Sequence, residues 1–126
     1  MITKNPILWI CRIVAALILL QTLYYKFTGA PESVYIFTAV DMEPYGRYAI
    51  GIAELVASIL ILFPRTSLYG AFLALVLMLG AIGSHLFILG IEILNDGGHL
   101  FIYALIVTLS CLVLIYGYTK RTKPEP

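Results

Sequence analysis

Charge is what this sequence has least of. Only 12% of its 126 residues are Asp, Glu, Lys or Arg, about half the roughly 25% carried by a soluble domain. A water-facing globular surface is thereby excluded. The net charge of +1 leaves no electrostatic footprint for nucleic acid. The two cysteines, Cys11 and Cys111, lie in different apolar runs and form no C-x-x-C, which argues against a thiol relay. The two histidines have no H-x-x-x-H or other supporting spacing, so no metal site is expected. Flavin, haem and iron–sulfur motifs are lacking as well, so any redox centre is expected on another protein. No small-residue cleavage pattern follows the first apolar run, where Gln21-Thr-Leu-Tyr-Tyr25 comes next. That run therefore reads as an uncleaved membrane span rather than a signal peptide.

What is there is apolar sequence in helix-length blocks: 61% of the residues are hydrophobic and the mean hydropathy is +0.97. The fold class this predicts is all-α, an integral membrane up-down four-helix bundle forming one domain over residues 1–126. The spans fall at about 7–25, 48–63, 68–91 and 100–118, with a basic tail at 119–126; roughly 20 residues cross the hydrocarbon core. Pro6 suits a first helical turn. Trp9 and Tyr24-Tyr25 stand at opposite ends of the first span as an aromatic belt would place them. In the long loop that follows, Pro31 opens a short helix through Val40. Val34, Phe37 and Val40 fall on one side of it, which predicts a helix lying in the interface. Glu43-Pro-Tyr-Gly46 and Asn95-Asp-Gly-Gly98 are turns. Small residues mark two packing stripes, Gly51 and Ser58 around Glu54, and Gly70, Ala74 and Ala81 leading to His85. The tail from Lys120 to Pro126 is expected to fray.

The basic residues orient the chain. With the N-terminus inside, the inner side holds Lys4, Arg65, Lys120, Arg121 and Lys123, and the outer side only Lys26 and Arg47. Both termini are then cytoplasmic. Glu54 lies six residues into the second span and His85 six residues before the end of the third, each about 9 Å deep at 1.5 Å per residue. Gln21 and Lys26 stand at the outer end of the first span. A carboxylate, an imidazole, an amine and an amide thus share one leaflet. Arg12 and Gln21 are on opposite faces of their helix, and Arg12 is close enough to the start to snorkel to the headgroups.

Two readings of these residues stand side by side. In the structural one, Glu54 pairs with Lys26 or Arg47, Ser84 and His85 tie helices together, and the cluster only stabilises the bundle. In the functional one, Glu54, His85, Lys26 and Gln21 line a polar pocket for a small ligand such as a quinone head group, because intramembrane ionisable residues usually have a task. His99, in Asp-Gly-Gly-His, reads as a loop residue.

The sequence also resembles the DoxX family of small four-span bacterial membrane proteins. The resemblance is carried by Arg12 in the first span and Lys26-Phe-Thr-Gly29 at its end. It is carried further by Gly51-x-x-Glu54, by Leu60-Ile-Leu-Phe-Pro64, and by Gly80-Ala81 leading to His85. Residues 21–37 and 43–54 are most similar to a Bacteroidetes-type branch. The resemblance implies a bundle in the bacterial cytoplasmic membrane. It also implies association with thiosulfate:quinone oxidoreductase, with complexes that handle oxidants and thiols, or with maturation of a periplasmic amine dehydrogenase. This sequence departs from direct disulfide chemistry in having no paired cysteines.

The expected function is a membrane subunit or accessory factor of a redox system, with no intrinsic cofactor, a bound quinone as candidate ligand, a redox partner protein, the lipid bilayer around it and room for oligomers. It is not expected to be an enzyme on its own. The alternative is a membrane scaffold or assembly factor. A small-solute carrier is disfavoured because the spans show neither inverted repeats nor broken helices.

Overall fold

The computed structural model describes residues 6–94 and 96–122. Lys4, Asn95 of the second turn, and Lys123 to Pro126 of the tail lie outside the described residues. The elements are α1 (Pro6–Thr28), α2 (Pro31–Ala39), α3 (Tyr45–Leu62), α4 (Ser67–Ser84), a π-helical turn (His85–Leu89) and α5 (His99–Thr122). Among the described residues there is no strand. Four helices, counting α4 with its π-turn as one, are long and apolar enough to cross a membrane. They form a closed bundle in which α1 packs on α3 and α5, and α4 packs on α3 and α5, so each helix is antiparallel to the next in sequence. α2 lies across one end, against α1, α3 and the π-turn. α5 continues into the tail as far as Thr122.

The helix boundaries follow from residues with a clear local preference. Gly29 takes φ +70° just past α1, and Ala30 N–H returns to the Tyr25 carbonyl at 3.0 Å. This is the glycine-terminated stop of a Schellman motif, and Pro31 then starts α2 where a proline costs nothing. α2 ends the same way with Asp41 in the glycine position, at φ +61°. Met42 N–H reaches the Phe37 carbonyl at 2.7 Å and Asp41 N–H the Thr38 carbonyl at 3.1 Å. α3 stops ahead of Pro64, and Gly90 at φ +81° ends the π-turn.

The two halves of the bundle pack differently. Away from α2 the core is dense and built on small side chains: Ala15, Ala16, Ala57, Ala71 and Ala74 with Leu19, Ile61, Val107, Cys111 and Leu114. In lipid, apolar helices gain nothing by hiding from their solvent, so close approach of backbones supplies the attraction. At Gly70 a Cβ would come within 2.7–2.8 Å of the backbone of Ile61 and Ala57; α3 and α4 touch there because the side chain is missing. Only part of the small-residue stripe on α4 acts as a seam. Gly70 and Ala74 are buried in it, whereas Ala81 borders open space in the other half. The outer flanks, with Leu17, Ile52, Val56, Phe72, Leu79, Leu105 and Leu109, are exposed and apolar, as a lipid-facing surface is.

Candidate functional site

The open half encloses a cavity of about 560 Å³. Its walls come from all four spanning helices and from α2. Ligand pockets typically have volumes of this order and are mostly apolar with a few placed polar groups. Here Ile18, Leu19, Ile36, Phe37, Met78 and Val107 supply the apolar part. The polar part contains Gln21, Lys26, Glu54, Ser84 and His85 together, so the shared depth counted from sequence places these residues around one space. The lining extends to Gln21 and Val76, both exposed on the flank of the bundle.

Glu54 is 3% exposed, and Lys26 Nζ lies 3.0 Å from its Oε1. The contact is an ion pair without a directed hydrogen bond to Oε1. It joins α1 to α3 across the cavity wall. Ser58 sits one turn further along α3 and donates to the Glu54 carbonyl at 2.8 Å.

Arg47, the alternative partner from sequence, is occupied elsewhere. Its Nε donates to the Glu43 carboxylate at 2.9 Å, its Nη2 stands 2.8 Å from the same group, and its Nη1 donates to the Lys26 carbonyl. That carbonyl is among the four orphaned at the end of α1. Arg12 does the equivalent at the opposite end of the bundle. Depth alone would let Arg12 snorkel to the headgroups, but it is buried, and it donates from Nε to the Ile61 carbonyl at 3.0 Å and from Nη2 to that of Leu62. Each arginine therefore caps the C-terminus of the other helix, where the helix dipole favours a cation.

His85 opens the π-turn. Its Nδ1 is 2.9 Å from the Gly90 carbonyl, and its ring meets Phe101 of α5 edge-on with centroids 5.4 Å apart. Ser84 donates to Gly80 of its own helix at 2.9 Å. The inter-helix hydrogen bonds expected of Ser84 and His85 are thus not formed among the described residues; both bond locally. π-turns are frequent at functional sites because the extra residue per turn re-aims side chains. Here the wider turn lets Gly90 N–H reach the His85 carbonyl at 2.7 Å, and no periodicity in the sequence announces it.

Further wall residues lie outside the site read from the sequence. Phe37 and Ser33 of α2 are buried and, with Ile36 and Val40, turn the helix face inward; Val34, assigned to that face from sequence, is not part of the wall. His99 starts α5 and lines the cavity, with Tyr103 four residues on. Helical i, i+4 spacing was the available signal for Tyr103. Asp96 organises this corner: its carboxylate accepts the N–H groups of Ile93 at 3.0 Å, Gly98 at 2.7 Å and Leu100 at 3.3 Å. Partial burial alone would raise the Asp96 carboxyl, but those three N–H groups and nearby His99 outweigh it and hold the group below its usual range. His99 Nδ1 in turn bonds the Asp96 carbonyl. Among the described residues no group of His, Cys, Asp and Glu is arranged to hold a metal ion.

Four apolar crossing helices, a lipid-facing flank and buried charges define a multi-pass membrane protein. The family model described as the DoxX-like family matches residues 10–115. The chain belongs to that family. Neither the curated proteins nor the solved structures give a match.

Proposed function

We propose that this DoxX-like protein is a membrane subunit or accessory factor of a redox system, and that its cavity receives a quinone-type head group. The observation that carries the reading is one space of about 560 Å³, mostly apolar, whose wall includes Lys26, Glu54, His85 and, at its rim, Gln21. A flat, lipid-soluble ring with polar substituents suits that mixture. Electrons pass through a partner protein, and this chain supplies the binding site. In this reading the chain sits in the cytoplasmic membrane with both termini inside, an orientation the charge asymmetry supports, and the cavity belongs to the outer leaflet.

A second reading, a scaffold or assembly factor, draws on the Lys26–Glu54 pair, because an ion pair linking α1 to α3 serves structure whether or not a ligand enters. Binding separates the two. Purified protein in lipid nanodiscs is titrated with a decyl-substituted benzoquinone. Saturable binding is expected, weakened about tenfold, or about 1.4 kcal/mol, by Glu54→Gln and by Gly80→Leu. Gly80 lines the cavity and a Cβ there meets nothing within 4 Å, so a larger side chain at this position starts in open space and takes room from a ligand. Folded wild-type protein that binds no quinone supports the scaffold.

A further inference from the structure

The direction of the hydrogen bonds in the cavity wall says which form of such a ligand fits. A backbone carbonyl only accepts, so the His85 nitrogen 2.9 Å from the Gly90 oxygen must carry the proton. In the neutral ring Nε2 is then a lone-pair acceptor. No hydrogen bond from the described residues reaches Nε2. The same logic applies to His99, whose Nδ1 is committed to the Asp96 carbonyl. Two of the wall hydroxyls behave alike: Ser84 donates to Gly80 at 2.9 Å and Thr22 to Leu19 at 2.9 Å. Each has turned its hydrogen to its own helix and has lone pairs left over. Glu54 accepts by nature.

Donors line the wall as well: the hydroxyls of Ser33, Tyr25 and Tyr103, the Gln21 amide and the Lys26 ammonium. The Lys26 ammonium faces Glu54 at 3.0 Å. Gln21 and Tyr25 are exposed at the rim, and the Tyr103 ring lies against His99 with centroids 6.4 Å apart. The formal charge is weighted to the negative: Glu32, Glu54 and Asp96 border the cavity against the single ammonium of Lys26. An anionic head group is unwelcome there, and a ring that approaches His85 must bring a donor to its Nε2.

We infer that the cavity is built for the reduced, dihydroxy form of the ring, a hydroquinone, whose hydroxyl donates to His85 Nε2. This rests on the proposed head-group site and goes beyond it by fixing the ligand's redox state. A quinone carbonyl presents only lone pairs to an acceptor, and leaving such a pair unsatisfied in a dry site is costly. A hydroquinone offers two O–H donors and no charge.

The experiment is a paired titration under anaerobic conditions, with the decyl-benzoquinone and its hydroquinone against the full chain in nanodiscs. The hydroquinone is expected to bind at least tenfold more tightly. His85→Asn keeps an amide N–H where Nδ1 stood, able to bond Gly90, and removes the Nε2 acceptor, so it should bring the two affinities together. The mono-methyl ether of the hydroquinone decides the matter without mutation if His85→Asn does not fold: it should bind more weakly than the free dihydroxy compound. Equal binding of oxidised and reduced rings by wild type overturns the inference and leaves the head-group site standing. A preference that survives intact in folded His85→Asn overturns the role of Nε2. Failure of both rings to bind overturns the site itself.

Discussion

At the scale of single residues, the Lys26–Glu54 pair is the most consequential contact. Both side chains are largely removed from solvent, at 15% and 3% exposure. Deleting one partner of a buried pair leaves an uncompensated charge and costs about 3–5 kcal/mol, whereas replacing both is often tolerated. Lys26→Met and Glu54→Gln should each lower unfolding stability in detergent, and the double variant should recover part of the loss. Strictly additive losses would show that the two do not interact. Depth counted along a helix brought Lys26 within reach of Glu54 but left Arg47 as an equal alternative. The arginine caps were not legible, because a guanidinium that binds carbonyls of another helix leaves no trace in its own periodicity. Asp96 sits outside the spans and gives a titration. Its carboxyl is held below the usual aspartate range, so the loop order it provides is complete above that range and is lost as pH falls through the lowered value. The Gly98 and Leu100 amide resonances should shift at that lower pH, and Asp96→Asn should abolish the step. A midpoint at the ordinary aspartate value would mean that the three backbone bonds contribute nothing.

At the scale of elements, the four crossing helices could be read from hydropathy, since a bilayer permits little else for long apolar runs. Their ends are set by finer chemistry. α1 stops at a glycine, as expected, but α2 stops at Asp41, a residue that pays a steric penalty at positive φ. Relieving it should help: Asp41→Gly is expected to raise stability by about 1 kcal/mol, read as an upward shift in thermal unfolding. No shift, or a downward one, would show that the Asp41 side chain contributes more than its backbone strain removes. The π-turn at His85–Leu89 was illegible for a different reason. It changes one hydrogen-bond register without changing which residues are apolar, so hydropathy sees a single uninterrupted span.

At the scale of the molecule, the dense half and the hollow half divide the labour of holding the bundle together and leaving room inside it. The orientation proposed from the basic residues has a direct check. In a protein with Cys11 and Cys111 replaced by alanine, single cysteines at Thr38 and Glu92, both exposed near the α2 end, should react with an impermeant thiol reagent added to intact cells. A cysteine at Thr66 should not. Labelling at Thr66 alone would invert the molecule and move the cavity to the inner leaflet.

The reciprocal caps of Arg12 and Arg47 bear on how the chain enters the bilayer. Arg47 has Glu43 beside it, but the hydrogen bonds of the Arg12 guanidinium all go to the end of α3, so α1 arriving alone carries a cation into lipid with no carbonyls to receive it, at about 2.5–3.5 kcal/mol if held at the centre. The two spans are therefore best inserted together, as a hairpin in which α3 receives the Arg12 charge. In a translocon insertion assay with glycosylation reporters, α1 alone should integrate less completely than the α1–α3 segment, and Arg12→Leu should erase the difference. Birth as a hairpin would make the first half of this protein a unit of biogenesis, onto which α4 and α5 close to form the cavity.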